Sequence, residues 1–296
     1  MLLRVGSRGP EVKQLQEFLN IGADGIFGRG TEAAVKSWQS DNRLTVDGIV
    51  GPITWKAMGL DELSTTDNSE KHILLPDGLE IEQYFLPKGE YKTGPTDKEY
   101  LFLHHTAGWH NPYRTIDHWG RDKRGQIATE FVLGGQSVKG DDNTYDGKLL
   151  QCIPEGGYGW HLGKNGLQRM HTHSVAIEVN NFGWLKDGKT YVGTPAAESQ
   201  IVTLAEPFRG FKQWHRYSDK QIEVLHKWIL YIADRDSIDV RKGLVEQVKK
   251  RGAKGFEFNE DAYYGRVKGM WTHTNTRKDK FDMFPQPELL DMLMEL

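Results

Sequence analysis

Tyr100-Leu101-Phe102-Leu103-His104-His105 is an apolar run that ends on two imidazoles, and Ser174-Val175-Ala176-Ile177-Glu178-Val179-Asn180 repeats the pattern further along the chain with a carboxylate near its end. Both runs are rich in strand-forming residues, as are 131–133 and 148–153, so four strands are expected. On an extended 174–180, Val175, Ile177 and Val179 share one face, while Ser174, Ala176, Glu178 and Asn180 share the other. Glu178 therefore points away from the branched apolar row. A carboxylate placed there is costly unless it is paired, hydrogen-bonded or facing a solvated cleft. Between the strands lie helix candidates. The clearest is 218–235, where Ser218 and Gln221 are spaced as a capping box and Ile222, Leu225, Ile229 and Ile232 form an apolar stripe. Residues 115–122 are a second. Strands interleaved with helices predict an α/β sheet covered on at least one face.

The chain of 296 residues, 38% apolar with nine Trp, is long enough for one large domain and a small one. A formal charge of −3 argues against a nucleic-acid binder, whose footprint is a strongly basic face. Cys152 is the single cysteine, which excludes an intrachain disulfide and a Cys-rich metal site and fits synthesis in a reducing cytoplasm. The opening Met1-Leu2-Leu3-Arg4-Val5-Gly6 lacks the apolar core of a signal peptide, and no apolar run is long enough to span a membrane. The expectation is a monomer with no membrane insertion, made in a cytoplasm without its own export signal.

A short repeat marks the N-terminus. Asp24-Gly25-Ile26-Phe27-Gly28 recurs as Asp47-Gly48-Ile49-Val50-Gly51, and Thr31 and Thr54 follow at matching positions. Each turn feeds a helix. Pro10 opens the first, with Val12, Leu15 and Leu19 on one face beside Phe18; Thr31 is expected to cap a second carrying Ala34, Val35 and Trp38; Pro52 opens a third with Trp55. The Val-x-x-Leu-Gln opening, the two Asp-Gly-x-x-Gly turns and the closing Gly-Pro-x-Thr-Trp resemble the peptidoglycan-binding domain 1 family, which implies a three-helix wall-targeting module over 1–59. Seven Lys and Arg against six Asp and Glu leave it nearly neutral, so a groove contact is expected rather than attraction to an acidic polymer. Polar, aperiodic sequence over 60–74 reads as a linker, and 75–296 as a second domain. A tether of that kind keeps the second domain near substrate while the first stays bound.

The second domain carries further landmarks in order: Phe102-Leu103-His104-His105-Thr106-Ala107, Ala128-Thr129-Glu130-Phe131-Val132-Leu133-Gly134-Gly135, Gly159-Trp160-His161, Val175-Ala176-Ile177-Glu178-Val179, and the stretch from His273 to Asp282. Over about 98–290 this resembles the type 2 N-acetylmuramoyl-L-alanine amidases and peptidoglycan recognition proteins. The resemblance implies a central, mostly mixed β-sheet flanked by helices. It implies His104, His273 and Asp282 as ligands of Zn2+, Glu178 as the acid that handles the water proton, and Lys280 as the cation near the developing oxyanion. His161 is expected to add a hydrogen bond or to position substrate. Two imidazoles and one carboxylate leave a tetrahedral zinc one open position, as a hydrolase requires. The implied reaction is hydrolysis of the amide between muramic acid and L-alanine in bacterial peptidoglycan.

Other residues compete for these roles. His105 faces away from His104 in a strand, so only one of the two can ligate, and the family match favours His104. His171 and His173 bracket one residue in what reads as a polar loop before a strand, and Asp279 is a less favoured alternative to Asp282. His110, His118, His215 and His226 read as surface or core residues. Trp109, Trp119, Trp160, Trp184 and Trp271 lie near the motifs and are candidates for the floor of a glycan groove or for packing. Thr129 stands where many relatives carry a tyrosine, which shifts acid–base work to Glu178. Residues 186–215 and 236–269 are long for the family core and read as loops that shape the cleft. The leading expectation is a phage-type endolysin acting on the cell wall. A non-catalytic peptidoglycan recognition protein and a zinc peptidase cutting within the stem peptide are the alternatives.

Overall fold

The computed structural model describes residues 2–58, 60, 72–94, 97–163 and 166–296, which fall into two compact units, Met1–Ser69 and Glu70–Leu296. Most of the stretch expected as a linker, 61–71, lies outside the described residues. Its last residues do not behave as linker: His72–Leu74 is a strand paired antiparallel with Glu80–Gln83.

The smaller unit has three helices, α1 (Pro10–Phe18), α2 (Arg29–Asp41) and α3 (Pro52–Ala57), around a core that includes Val12, Leu15, Phe27, Val35, Val50 and Trp55. The sequence repeat becomes a repeated hydrogen-bond staple. Gln16 Nε2 donates to Asp24 Oδ1, the Ile26 carbonyl and Thr31 Oγ1, while its Oε1 accepts from Gly25 N–H. Gln39 does the same with Asp47, Ile49, Thr54 and Gly48. The glycines are required, because Gly25 and Gly48 have φ of +70° and +73°. Thr31 is therefore no cap: it lies inside α2, whose N-cap is Gly28, and its hydroxyl is occupied by Gln16.

The larger unit is built on a seven-stranded mixed sheet, in line with the α/β architecture expected. Its strands are β1 (His72–Leu74), β2 (Glu80–Gln83), β4 (Tyr100–His105), β5 (Phe131–Leu133), β6 (Leu149–Gln151), β8 (Ser174–Val179) and β12 (Gly269–Thr272), in the order β1-β2-β6-β5-β8-β4-β12. The block β5, β8, β4 and β12 is parallel. Two short strands, β3 (Lys92–Thr93) and β7 (Gly157–Tyr158), pair separately. One sheet face presents Leu101, Leu103, Phe131, Leu133, Val175, Ile177 and Val179 to helices α6 (Asp219–Arg235), α7 (Leu244–Arg251) and α10 (Pro287–Glu295). Each such side chain contributes about 1.5–3 kcal/mol on full burial. A one-residue slip of β8 would drive Glu178 into that core, so the register is fixed. The other face carries Tyr100, Phe102, Ala176 and Trp271, with Leu162 and Met170 against them. It is partly covered by α4 (Pro112–Trp119) and the short α5 (Gln168–Thr172).

Helix α6 has the capping box read from Ser218 and Gln221, and Ile222, Leu225, Ile229 and Ile232 are buried. Helix α4 begins earlier than expected because Asn111 Oδ1 accepts from Tyr113 and Arg114 N–H and Pro112 occupies the first turn. Two expectations are corrected. Residues 186–215 are not an open loop: β10 (Ile201–Phe208) and β11 (Phe211–His215) form a three-stranded antiparallel sheet with β9 (Trp184–Leu185). Residues 236–269 contain α7, a 3-10 turn at Gly252–Phe256 and α8 (Glu260–Tyr263). Both segments bury apolar side chains, among them Leu204, Phe208, Trp214, Leu244, Val248 and Phe256, which is why they are ordered.

Candidate metal centre and cleft

Strands β4, β8 and β12 run parallel and end at one edge of the sheet, the edge where α/β proteins place ligands. In register, His104 lies beside Glu178, so both project from the same face. Thr272 lies beside Leu103, and the next residue, His273, opens the single-turn helix α9 (His273–Thr276). Thr272 and Asn275 cap that turn reciprocally, and Asn275 Nδ2 donates to the carbonyls of Gly255 and Glu257. The chain then loops back: Thr274 N–H donates to the Asp282 carbonyl, which returns Asp282 to His273. Arg209, at the β10–β11 turn, holds this loop from outside by donating to the carbonyls of Lys278, Thr274 and Arg277.

The result is a triangle of donors. His104 Nδ1 is 3.2 Å from His273 Nδ1, and Asp282 Oδ2 is 3.1 Å from each. A tetrahedral zinc with bonds of about 2.0–2.2 Å has donor–donor edges of roughly 3.3–3.6 Å, so three ligands fit with small adjustments. The protonation states suit this. Burial lowers the His104 imidazole to about 4, leaving it neutral, as ligation requires. Burial alone would raise the Asp282 carboxyl, but the two imidazoles, His273 first, outweigh it and hold the group well below the usual carboxylate range.

A cavity of about 230 Å³ opens beside the triangle and is lined by Glu178, Lys280, His161, Thr129, Thr106 and Trp119, among others. Glu178 keeps some exposure there. Its carboxyl is pushed well up by burial first, then by the Asp282 charge, with Lys280 opposing. His161 Nδ1 lies 2.9 Å from His104 Nε2, and its Nε2 lies 2.7 Å from Ser174 Oγ. Gly159 lets this segment approach the backbone of Ala128, ahead of β5, since a Cβ there would stand 2.4 Å from the Ala128 carbonyl oxygen.

The remaining candidates separate cleanly. His105 points to the opposite face and pairs with the Tyr217 hydroxyl at 2.7 Å. His171 belongs to helix α5 rather than to a polar loop, and its buried ring packs on Trp160 and His161. Asp279 is ion-paired with Arg277. The Thr129 hydroxyl donates to the Phe131 carbonyl, so it is committed to the backbone. Of the tryptophans, Trp119 lines the cavity, Trp271 is core, and Trp109 is 43% exposed. Sequence reading passed over two contributors, Ser174 and Arg209. Ser174 was visible on the Glu178 face of the strand, whereas nothing local marks Arg209.

A family model described as N-acetylmuramoyl-L-alanine amidase matches residues 94–254, more than half of the chain, and one described as a peptidoglycan binding domain matches residues 8–58. His273 and Asp282 lie beyond the first match. Two curated relatives come from Bacillus licheniformis. One, named "Probable N-acetylmuramoyl-L-alanine amidase", is 39% identical over 87 residues, covering 27% of this chain and 24% of the relative. The other, the amidase CwlL, is 34% identical over 102 residues, covering 31% and 26%. The chain thus spans about a quarter of the length of these relatives. A solved structure, a fused Zn-dependent amidase/peptidase/peptidoglycan-binding protein from Clostridium acetobutylicum, is 35% identical over 20% of this chain and 28% of that one, with a TM-score of 0.19.

Proposed function

The chain belongs to the N-acetylmuramoyl-L-alanine amidase family, and on that premise we propose that it hydrolyses the amide joining the lactyl group of muramic acid to L-alanine in bacterial peptidoglycan, with zinc as cofactor. The observation that carries the reading is the convergence of His104, His273 and Asp282 within 4.8 Å of one another on the wall of a cavity that also receives Glu178 and Lys280.

His104, His273 and Asp282 hold the ion. When bound, zinc supplies a Lewis acid that polarises the amide carbonyl and makes a water acidic enough to attack at neutral pH. Glu178 takes the proton of the attacking water and returns it to the departing amine of L-alanine. Burial raises its carboxyl, which favours the proton-carrying form from which the proton is returned. Lys280 presents its ammonium to the oxygen on which negative charge develops, a contact worth about 3 kcal/mol when preorganised. The N-terminal unit serves as a peptidoglycan-binding module that keeps the enzyme at the wall, so the molecule works as a modular wall lysin of the phage endolysin type.

Digestion of purified sacculi followed by mass spectrometry tests this directly. The expected products are glycan strands stripped of peptide and stem peptides with free L-alanine amino groups, lost on chelation and restored by zinc. A cut inside the stem would make the protein a peptidase. Intact peptidoglycan after incubation with metal-loaded protein would make it a receptor.

A further inference from the structure

We propose that Ser174 and His161 are positioning residues that hold His104 in the tautomer a metal ligand needs, with its proton on Nε2 and its lone pair on Nδ1. The proposal deepens the reading of His104, His273 and Asp282 as a zinc site and rests on it. Three contacts form a line through the protein: His104 Nε2 to His161 Nδ1 at 2.9 Å, His161 Nε2 to Ser174 Oγ at 2.7 Å, and Ser174 Oγ to the His171 carbonyl oxygen at 3.3 Å.

The direction of the protons follows from the two ends. At one end, His104 Nδ1 faces His273 and Asp282. For that nitrogen to offer a lone pair, the neutral ring must carry its proton on Nε2. That N–H donates to His161 Nδ1, so His161 carries its own proton on Nε2. His161 in turn donates to Ser174 Oγ, and the serine hydroxyl donates onward. At the other end stands a backbone carbonyl, which can only accept. Reversing the line would point the serine hydroxyl proton at His161 Nε2, leave Ser174 and the carbonyl facing lone pair to lone pair, and place a proton on His104 Nδ1 where the ion belongs.

The sheet makes this line possible. Ser174 lies beside Tyr100 and Glu178 beside His104 in register. His161, resting on Phe102 at 5.4 Å between ring centroids, spans the gap between the two ends of that row. Ser174 and His104 are 4% and 2% exposed, which leaves little room for water to replace a missing link. Nε2 of His273 is buried without a hydrogen-bond partner among the described residues, so this control acts on His104 alone.

The test is zinc affinity of the full-length protein, measured by competition with a chromogenic chelator, together with nitrogen-15 NMR of the histidine rings. Ser174→Ala and His161→Phe are expected to weaken zinc binding about 10- to 100-fold. His161→Asn, whose amide oxygen can accept near the place of Nδ1, should recover part of the loss. In the zinc-loaded unaltered protein, His104 and His161 should both carry the proton on Nε2. Affinities of Ser174→Ala and His161→Phe within twofold of the unaltered protein, or a proton on His161 Nδ1, would overturn the relay alone. Failure of the unaltered protein to bind zinc would overturn the site reading and the relay together.

Discussion

Glu178 shows how far one residue can be read from local pattern. Alternation along 174–180 sets it on the face opposite Val175, Ile177 and Val179, and that face holds the cavity. Its neighbours there could not be inferred from the strand alone. The register of β8 against β4 puts it beside His104, and the loop from α9 brings Lys280 and Asp282 over it. As the proposed general acid–base, Glu178 accounts for roughly 10²–10⁴ in rate. Glu178→Ala is therefore expected to bind zinc with near-normal stoichiometry while kcat falls by at least about a hundredfold. Zinc content by atomic absorption and turnover on a soluble muramoyl-peptide check the two halves, and near-normal turnover would remove Glu178 from its assigned role. Ser174 is the counter-example. The strand pattern places Ser174 on the Glu178 face but gives it no role, and its significance depends on His161, which approaches from another element, and on the nearby His171 carbonyl.

At the scale of elements, short-range grammar was legible and long-range bracing was not. The capping box at Ser218, the stripe along α6 and the paired Asp-Gly turns all depend on residues a few positions apart. The expectation for 186–215 failed because its order comes from pairing β9, β10 and β11 and from rings such as Trp214 stacked on Phe284 at 4.5 Å. This added sheet also supports the loop between His273 and Asp282 through Arg209, which donates to three of its carbonyls. Arg209→Ala leaves those acceptors without their donor, at a cost of about 1–3 kcal/mol. The expected outcome is a several-fold drop in zinc affinity and a lower unfolding midpoint, read by chelator competition and thermal melts; an unchanged affinity would show that the loop holds its shape unaided. In the smaller unit, Gln39→Leu removes a buried side chain that serves Asp47, Gly48, Ile49 and Thr54 at once. It should destabilise that unit by about 2–3 kcal/mol, measured as a shift in its denaturant midpoint, and Gln16→Leu should act alike because the staple is repeated.

For the whole molecule, buried histidines couple stability to pH. Burial lowers His105 and His171 to about 4 and His215 to about 3, against an ordinary value of 6.5. Each is neutral in the folded chain and gains a proton on unfolding below 6.5, so the stability is fully present above that pH and is lost as pH falls towards 3–4. By pH 5 each contributes a loss of roughly 2 kcal/mol. The unfolding temperature of the larger unit should therefore drop steadily between pH 7 and pH 5, and a flat profile over that range would contradict the burial of these rings. The amino-acid sequence by itself determined the strand faces, the main helices, the capping box at Ser218 and the N-terminal repeat, because these follow from periodicity and spacing within a few residues. Only the tertiary structure decided that His104 meets residues 169 and 178 positions away, that His161 and Ser174 line up behind it, and that an added sheet braces the loop between His273 and Asp282. Those outcomes depend on which distant backbones share an edge of the sheet, and nothing in local pattern encodes such an approach.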